Sequence, residues 1–177
     1  KLADIKLMMQ PDSVVKLQQV PIVLDLTHGT LTSMQYHPSA DWLVEHGFSR
    51  ELEKCVHIPV AERFTDPRHN HVQPWCVLHE LAHAYHDQVL GFEEPRIKEV
   101  WQQYVDSGHG VRVLHVNGRE MRHYAMTNQK EFFAEMSECY FGTNDFFPFV
   151  QGELRQAEPA IFDLLKSIWG EAPPPRG

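Results

Sequence analysis

The five residues His79-Glu80-Leu81-Ala82-His83 constrain this chain more than any other stretch. In an α-helix, side chains four apart lie on one face, about 5.4 Å apart along the axis. Two imidazoles placed in this way can bind a single zinc ion, and the glutamate beside the first can reach a water held there. The surroundings favour a helix: Val77, Leu78, Leu81 and Tyr85 supply apolar faces, Pro74 precedes it and Gly91 can end it. A catalytic zinc takes three protein ligands and keeps one position open, so the fold must bring a third ligand to this helix from elsewhere.

Composition excludes several classes. A chain of 177 residues fits one domain, expected over residues 1–170, with Glu171–Gly177 a frayed proline-rich tail. Sixteen basic against 24 acidic residues give a net charge of −8, which argues against a nucleic-acid partner and against binding to acidic membranes. No apolar run approaches the ~18 residues of a membrane span. Cys55, Cys76 and Cys139 lack C-x-x-C spacing, which excludes a zinc ribbon and a disulfide-dense scaffold. One bridge with a free thiol and three free thiols both remain open, as do the compartment and the oligomeric state. A chain beginning at Lys1 reads as a processed product, compatible with secretion after loss of a targeting segment.

The patterning predicts an α+β fold: a small mixed sheet, a metal helix and a mainly helical C-terminal part. Residues 1–19 read as an amphipathic lead-in with a turn at Pro11-Asp12, and Val20–Leu26 as a buried strand. Ser39 can cap a short helix through Asp41–Val44, a second follows near Arg50–Lys54, and Cys55–Ile58 is a strand ended by Pro59. Residues 61–74 read as a loop. Ile97, Val100, Trp101, Tyr104 and Val105 mark an amphipathic helix between Pro95 and Gly108. Val111–Val116, Asn117-Gly118 and Arg119–Tyr124 make a hairpin signal, since Asn-Gly suits a tight two-residue turn. A helix from Asn128 to Phe141, an aromatic loop at Asp145–Phe149 and a last helix through Ile161–Trp169 complete the chain.

For the third ligand, His86 is nearest in sequence, but it lies about 10 Å from His79 along a straight helix, too far to share one ion. It reads as a rim or exposed polar residue. The helix Asn128–Phe141 carries Glu131, Glu135 and Glu138 at i, i+4 and i+7, one carboxylate stripe on an otherwise apolar cylinder. Such a stripe is ordinarily a solvated face, and Asn128 with Glu131 also fits a capping box. The favoured reading makes Glu131 the third ligand, completing the two-histidine, one-carboxylate set of zinc hydrolases. Glu135 would then hold the ring of a ligating histidine.

At this point the residues resemble a family. HELAHAYH, with Glu131 of Lys130-Glu131-Phe132-Phe133-Ala134-Glu135 placed 48 residues after His83, is similar to the lethal-factor-like zinc metallopeptidases, which include the Pro-Pro endopeptidases. These are gluzincins, and the resemblance implies a zincin-like fold with zinc held by His79, His83 and Glu131. In that family a second acidic residue stands four after the ligating glutamate and a catalytic tyrosine seven before it; here those are Glu135 and Tyr124. The resemblance spans roughly residues 75–141. A competing likeness is Gly142-Thr143-Asn144-Asp145, which resembles the GTxD of aspzincins and implies Asp145 as third ligand. The Tyr-Gly that follows in that family is replaced here by Pro148-Phe149, and the ordinary reading of Gly142 and Asp145 is a helix end and a turn.

The chemistry and the resemblance suggest roles. Glu80 is expected as general base, and Tyr124, expected at the end of a strand, as a donor to the developing oxyanion in preference to an interface tyrosine. His123 would alternate to the other face of that strand. His37, His57, His109 and His115 read as surface or satisfied core groups, His69 and His71 as candidates to touch substrate from a loop, and Phe146, Phe147 and Phe149 as a core cluster. The expected activity is zinc-dependent hydrolysis of a peptide or protein substrate. The other class kept open is a non-catalytic binding domain of the same fold, which would have no use for Glu80.

Overall fold

The computed structural model describes residues 1–171; residues 172–177, on which nearly all of the expected tail falls, lie outside the described residues. Helices α1 (Leu2–Met8) and α2 (Pro11–Leu17) form the lead-in, with Pro11 in the first turn, where its missing N–H leaves no bond unmade. Ile5 of α1 and Leu17 of α2 are buried apolar residues, as is Met9 just after α1.

Three short strands follow: β1 (Ile22–Leu24), β2 (Gln35–Tyr36) and β3 (Val56–Ile58). They form one sheet in the order β1-β3-β2, with β1 parallel and β2 antiparallel to β3. The expected buried strand over Val20–Leu26 is corrected: β1 is an outer strand of three residues, and Leu24 and Leu26 are 58% and 83% exposed. Apolar composition favoured the strand, but nothing packs over that end of it. Between β2 and β3 lie α3 (Ala40–Glu45) and a 3-10 turn at Arg50–Leu52. Ser39 Oγ accepts from Trp42 N at 3.3 Å, the cap expected from sequence.

Beyond β3, helices α4 (Ala61–Thr65) and α5 (Pro67–Val72) replace the expected loop. Asp66 explains the second: its carboxylate accepts from Arg68 N at 2.8 Å, and Pro67 sits in the first turn. Next comes α6 (Cys76–Tyr85), which carries His79 and His83 and continues as one π-helical turn over His86–Leu90. Helix α7 (Pro95–Ser107) buries Ile97 and Tyr104.

The expected hairpin contracts to β4 (Val113–Leu114) and β5 (Glu120–Met121), joined through Gly118 at φ +82°. Its outer parts are taken by 3-10 turns at His109–Val111 and Tyr124–Met126, so Tyr124 opens a turn and does not end a strand. Then come α8 (Gln129–Phe141), α9 (Gln151–Ala157), which carries no strong sequence signal, and α10 (Pro159–Trp169).

Helix α8 is the core element, since every residue from Phe132 to Phe141 is buried. Trp169 of α10 packs its indole against Tyr85, Phe133 and Phe141, and donates to Ser137 Oγ at 2.9 Å. At the other side α8 meets α6 running antiparallel, Trp75 opposite Gly142 and His83 opposite Glu131. A Cβ on Gly142 would stand 2.3 Å from the Trp75 indole, so only glycine lets these two helix ends touch. The architecture is therefore α+β with small sheets. Among the described residues no helix is long and apolar enough to cross a membrane, and all three cysteines are free.

Candidate metal centre

Helix α6 presents His79 and His83 from successive turns, and their rings meet edge-on with centroids 4.7 Å apart. Asn128 caps α8 by accepting from the N–H groups of Lys130 and Glu131 at 2.9 and 3.0 Å, a contact worth about 1 kcal/mol. The Glu131 side chain does not return the reciprocal capping bond; it points across to α6. Its Oε2 lies 3.1 Å from His79 Nε2 and 3.3 Å from His83 Nε2, and the two nitrogens are 3.1 Å apart. The three atoms make a nearly equilateral triangle. A tetrahedral ion with ~2.0–2.1 Å bonds spaces its ligands about 3.3–3.4 Å apart, so this donor set fits one.

The charges around the triangle bear on the fit as well. Glu80, Glu131, Glu135 and Glu138 all line the same cleft as the two imidazoles. Burial pushes the Glu80, Glu135 and Glu138 carboxyls up, and the nearness of Glu138 adds to the rise at Glu135. Burial also acts on Glu131, but hydrogen bonds from His79 and His83 outweigh it and hold this carboxyl well below the usual range. His79 shows the converse: against burial, Glu131 and Glu138 on its two nitrogens hold the ring well above its usual value. A bound dication would relieve such a crowd of acids. Glu135 Oε2 is buried without a hydrogen-bond partner among the described residues.

The carboxylate that holds His79 is Glu138, whose Oε1 lies 2.7 Å from Nδ1. Glu135, expected in that role, is 3.6 Å from the same nitrogen. A second grouping, His79 with Glu135 and Glu138, is also close enough to hold an ion, but it uses Nδ1 and leaves out His83. Glu80 is oriented by the backbone: its Oε2 accepts from Tyr36 N at 2.8 Å, a tie between β2 and α6 that no sequence motif announces. Tyr124 stands at the cleft mouth, 48% exposed, and partial burial with Glu131 nearby pushes its phenol up, keeping it a donor at neutral pH.

Other expectations resolve around this centre. Asp145 pairs with His115 at 3.4 Å, and it is Glu131 that stands with the two imidazoles. His69 lines the cleft from α5, while His71 is not among the lining residues. His86, expected at the rim, is fully buried between Phe92 and Phe133, and neither ring nitrogen has a partner among the described residues. His123, expected to turn away, is buried with Nδ1 3.8 Å from Glu135 Oε2 and its ring stacked on Phe146. The alternation rule fails there because strand pairing stops at Met121. Phe146 is buried and Phe147 partly exposed, and neither lines the cleft.

Compared with protein families, curated proteins and solved structures, the chain matches none.

Proposed function

We propose that this chain is a zinc-dependent metallopeptidase of the lethal-factor-like gluzincin kind, with His79, His83 and Glu131 as ligands, Glu80 as general base and Tyr124 as oxyanion donor. The observation that carries this reading is the triangle of two Nε2 atoms and one Oε2 with edges of 3.1, 3.1 and 3.3 Å, opening into a cleft of about 760 Å³. A purely structural zinc site would be closed by four protein ligands and would need no base.

Bound there, zinc would supply a Lewis acid that polarises the scissile carbonyl and makes water acidic enough to attack near neutral pH. Glu80 takes the proton from that water and passes it to the leaving nitrogen. Its carboxylate is suited to this: burial raises its proton affinity, and the Tyr36 N–H fixes its orientation. Tyr124 donates to the oxygen as negative charge develops on it. The cleft wall Thr32–Tyr36, which includes the outer strand β2, suits an extended peptide laid along it. The test is a proteome-derived peptide library incubated with the zinc-loaded chain. Cleavage that stops with a chelator and returns with zinc supports the proposal; no cleavage of any peptide overturns it.

A further inference from the structure

A second cluster of imidazoles lies apart from the cleft. In β3, Val56 is fully buried in the main core, so the neighbouring His57 points to the opposite face of the sheet. There its Nε2 lies 3.0 Å from Asp25 Oδ2, and His28 Nδ1 lies 2.7 Å from that same oxygen. The His28 and His57 rings stand edge-on at 84° with centroids 4.6 Å apart. None of the three lines the cleft.

We propose that Asp25, His28 and His57 form a second metal site, for a zinc-like divalent transition ion, on the face of the sheet turned away from the metal helix. Their three ligand atoms all lie within 4.8 Å of one another, close enough for one ion. Two imidazoles and a carboxylate select zinc, cobalt, nickel or copper over calcium and magnesium, which prefer all-oxygen shells.

The cluster is built rather than incidental. Asp25 is fixed by its backbone, which donates to Ile58 O at 2.9 Å and accepts from Ala61 N at 2.8 Å. His57 is held from behind, its Nδ1 lying 3.3 Å from Nε2 of the buried His37, the kind of outer contact that orients a ligating imidazole. Phe48 and Trp42 flank the group, Phe48 5.8 Å from His28 and Trp42 6.5 Å from His37. His57 is closed to solvent, whereas the Asp25 and His28 side chains are 33% and 26% exposed, so an ion has an entry path and an open side for water. An ion here would join the end of β1 to β3 and brace the turn at His28–Leu31, which leads directly into the cleft wall at Thr32.

The test counts metal on the chelator-stripped, refilled full chain after gel filtration in metal-free buffer, with Zn²⁺ for stoichiometry and Co²⁺ absorbance for geometry. The wild type should hold two ions per chain. An Asp25→Asn/His28→Ala variant, altered only at partly exposed positions, should lose one equivalent and keep its far-UV circular dichroism. A His79→Ala/His83→Ala variant should lose the other equivalent and keep the Co²⁺ signal of this cluster. A wild type that holds one ion, unchanged by Asp25→Asn/His28→Ala, overturns the proposal and leaves a purely hydrogen-bonded cluster. So does a second ion that survives Asp25→Asn/His28→Ala. A wild type that holds one ion, lost in Asp25→Asn/His28→Ala and kept in His79→Ala/His83→Ala, supports this site and counts against the peptidase reading.

Discussion

Glu138 lies 2.7 Å from His79 Nδ1, while Glu135, nearly one turn earlier on the same helix, stands 3.6 Å away. The nitrogen on the far side of the ring faces Glu131, so in the proposed centre Glu138 would fix which nitrogen is left to bind metal. Glu138→Ala should weaken zinc binding about 10–100-fold, and Glu138→Gln, which keeps an acceptor, should recover most of that. Glu135→Ala should cost less than Glu138→Ala. Competition titrations with a zinc-chelating dye read this order directly, and a larger loss for Glu135→Ala would refute the assignment.

Glu131 and Asp145 are the two carboxylates that sequence offered as third ligand. Because Asp145 faces His115 and Glu131 faces both metal-helix imidazoles, Glu131→Ala should lose the cleft zinc under conditions where Asp145→Ala retains it. Zinc analysis after dialysis separates them; the reverse ranking would move the site to the aspzincin arrangement.

Among the described residues the Tyr124 phenol makes no hydrogen bond and is half exposed, so Tyr124→Phe should fold and bind zinc as the wild type does. If it stabilises the oxyanion, kcat should fall about 10²–10³-fold with little change in KM. An unchanged kcat would return Tyr124 to a surface role.

His86 gives a pH signature. Burial lowers its proton affinity, bringing the ring to about 4 from the ordinary 6.5. Above pH 6.5 it is neutral folded and unfolded, and contributes no pH dependence. As pH falls from 6.5 towards 4 the unfolded chain takes up a proton that the folded chain refuses, so stability falls across that window. His86→Phe, which suits the pocket between Phe92 and Phe133, should remove that loss, about 3 kcal/mol at its limit. Urea midpoints of metal-stripped protein at pH 7.5 and 4.5 should diverge between variant and wild type, and parallel curves would contradict the assignment.

Much of the site was legible because it is written in local spacing. His79 and His83 are placed by one helix, and Asn128 with Glu131 announced where α8 begins. The choice between Glu135 and Glu138 was not legible, because it depends on how α8 is rotated against α6, a property of packing rather than of either helix. The same holds for His86: helical periodicity gives its direction, but only α8, supplying Phe133, decides that this direction is inward. In the sheet, strand propensity was visible but length and cover were not, so β1 came out short and exposed. The cluster at Asp25, His28 and His57 joins residues far apart in sequence through a parallel strand pairing, which no short motif encodes.

The central claim is tested most directly by Glu80→Gln, compared with wild type for cleft zinc and for hydrolysis of a cleavable peptide. The variant should keep its zinc and lose about 10²–10⁴-fold in turnover, since only the base has been removed. A zinc-loaded Glu80→Gln chain that still turns over at the wild-type rate would contradict the account.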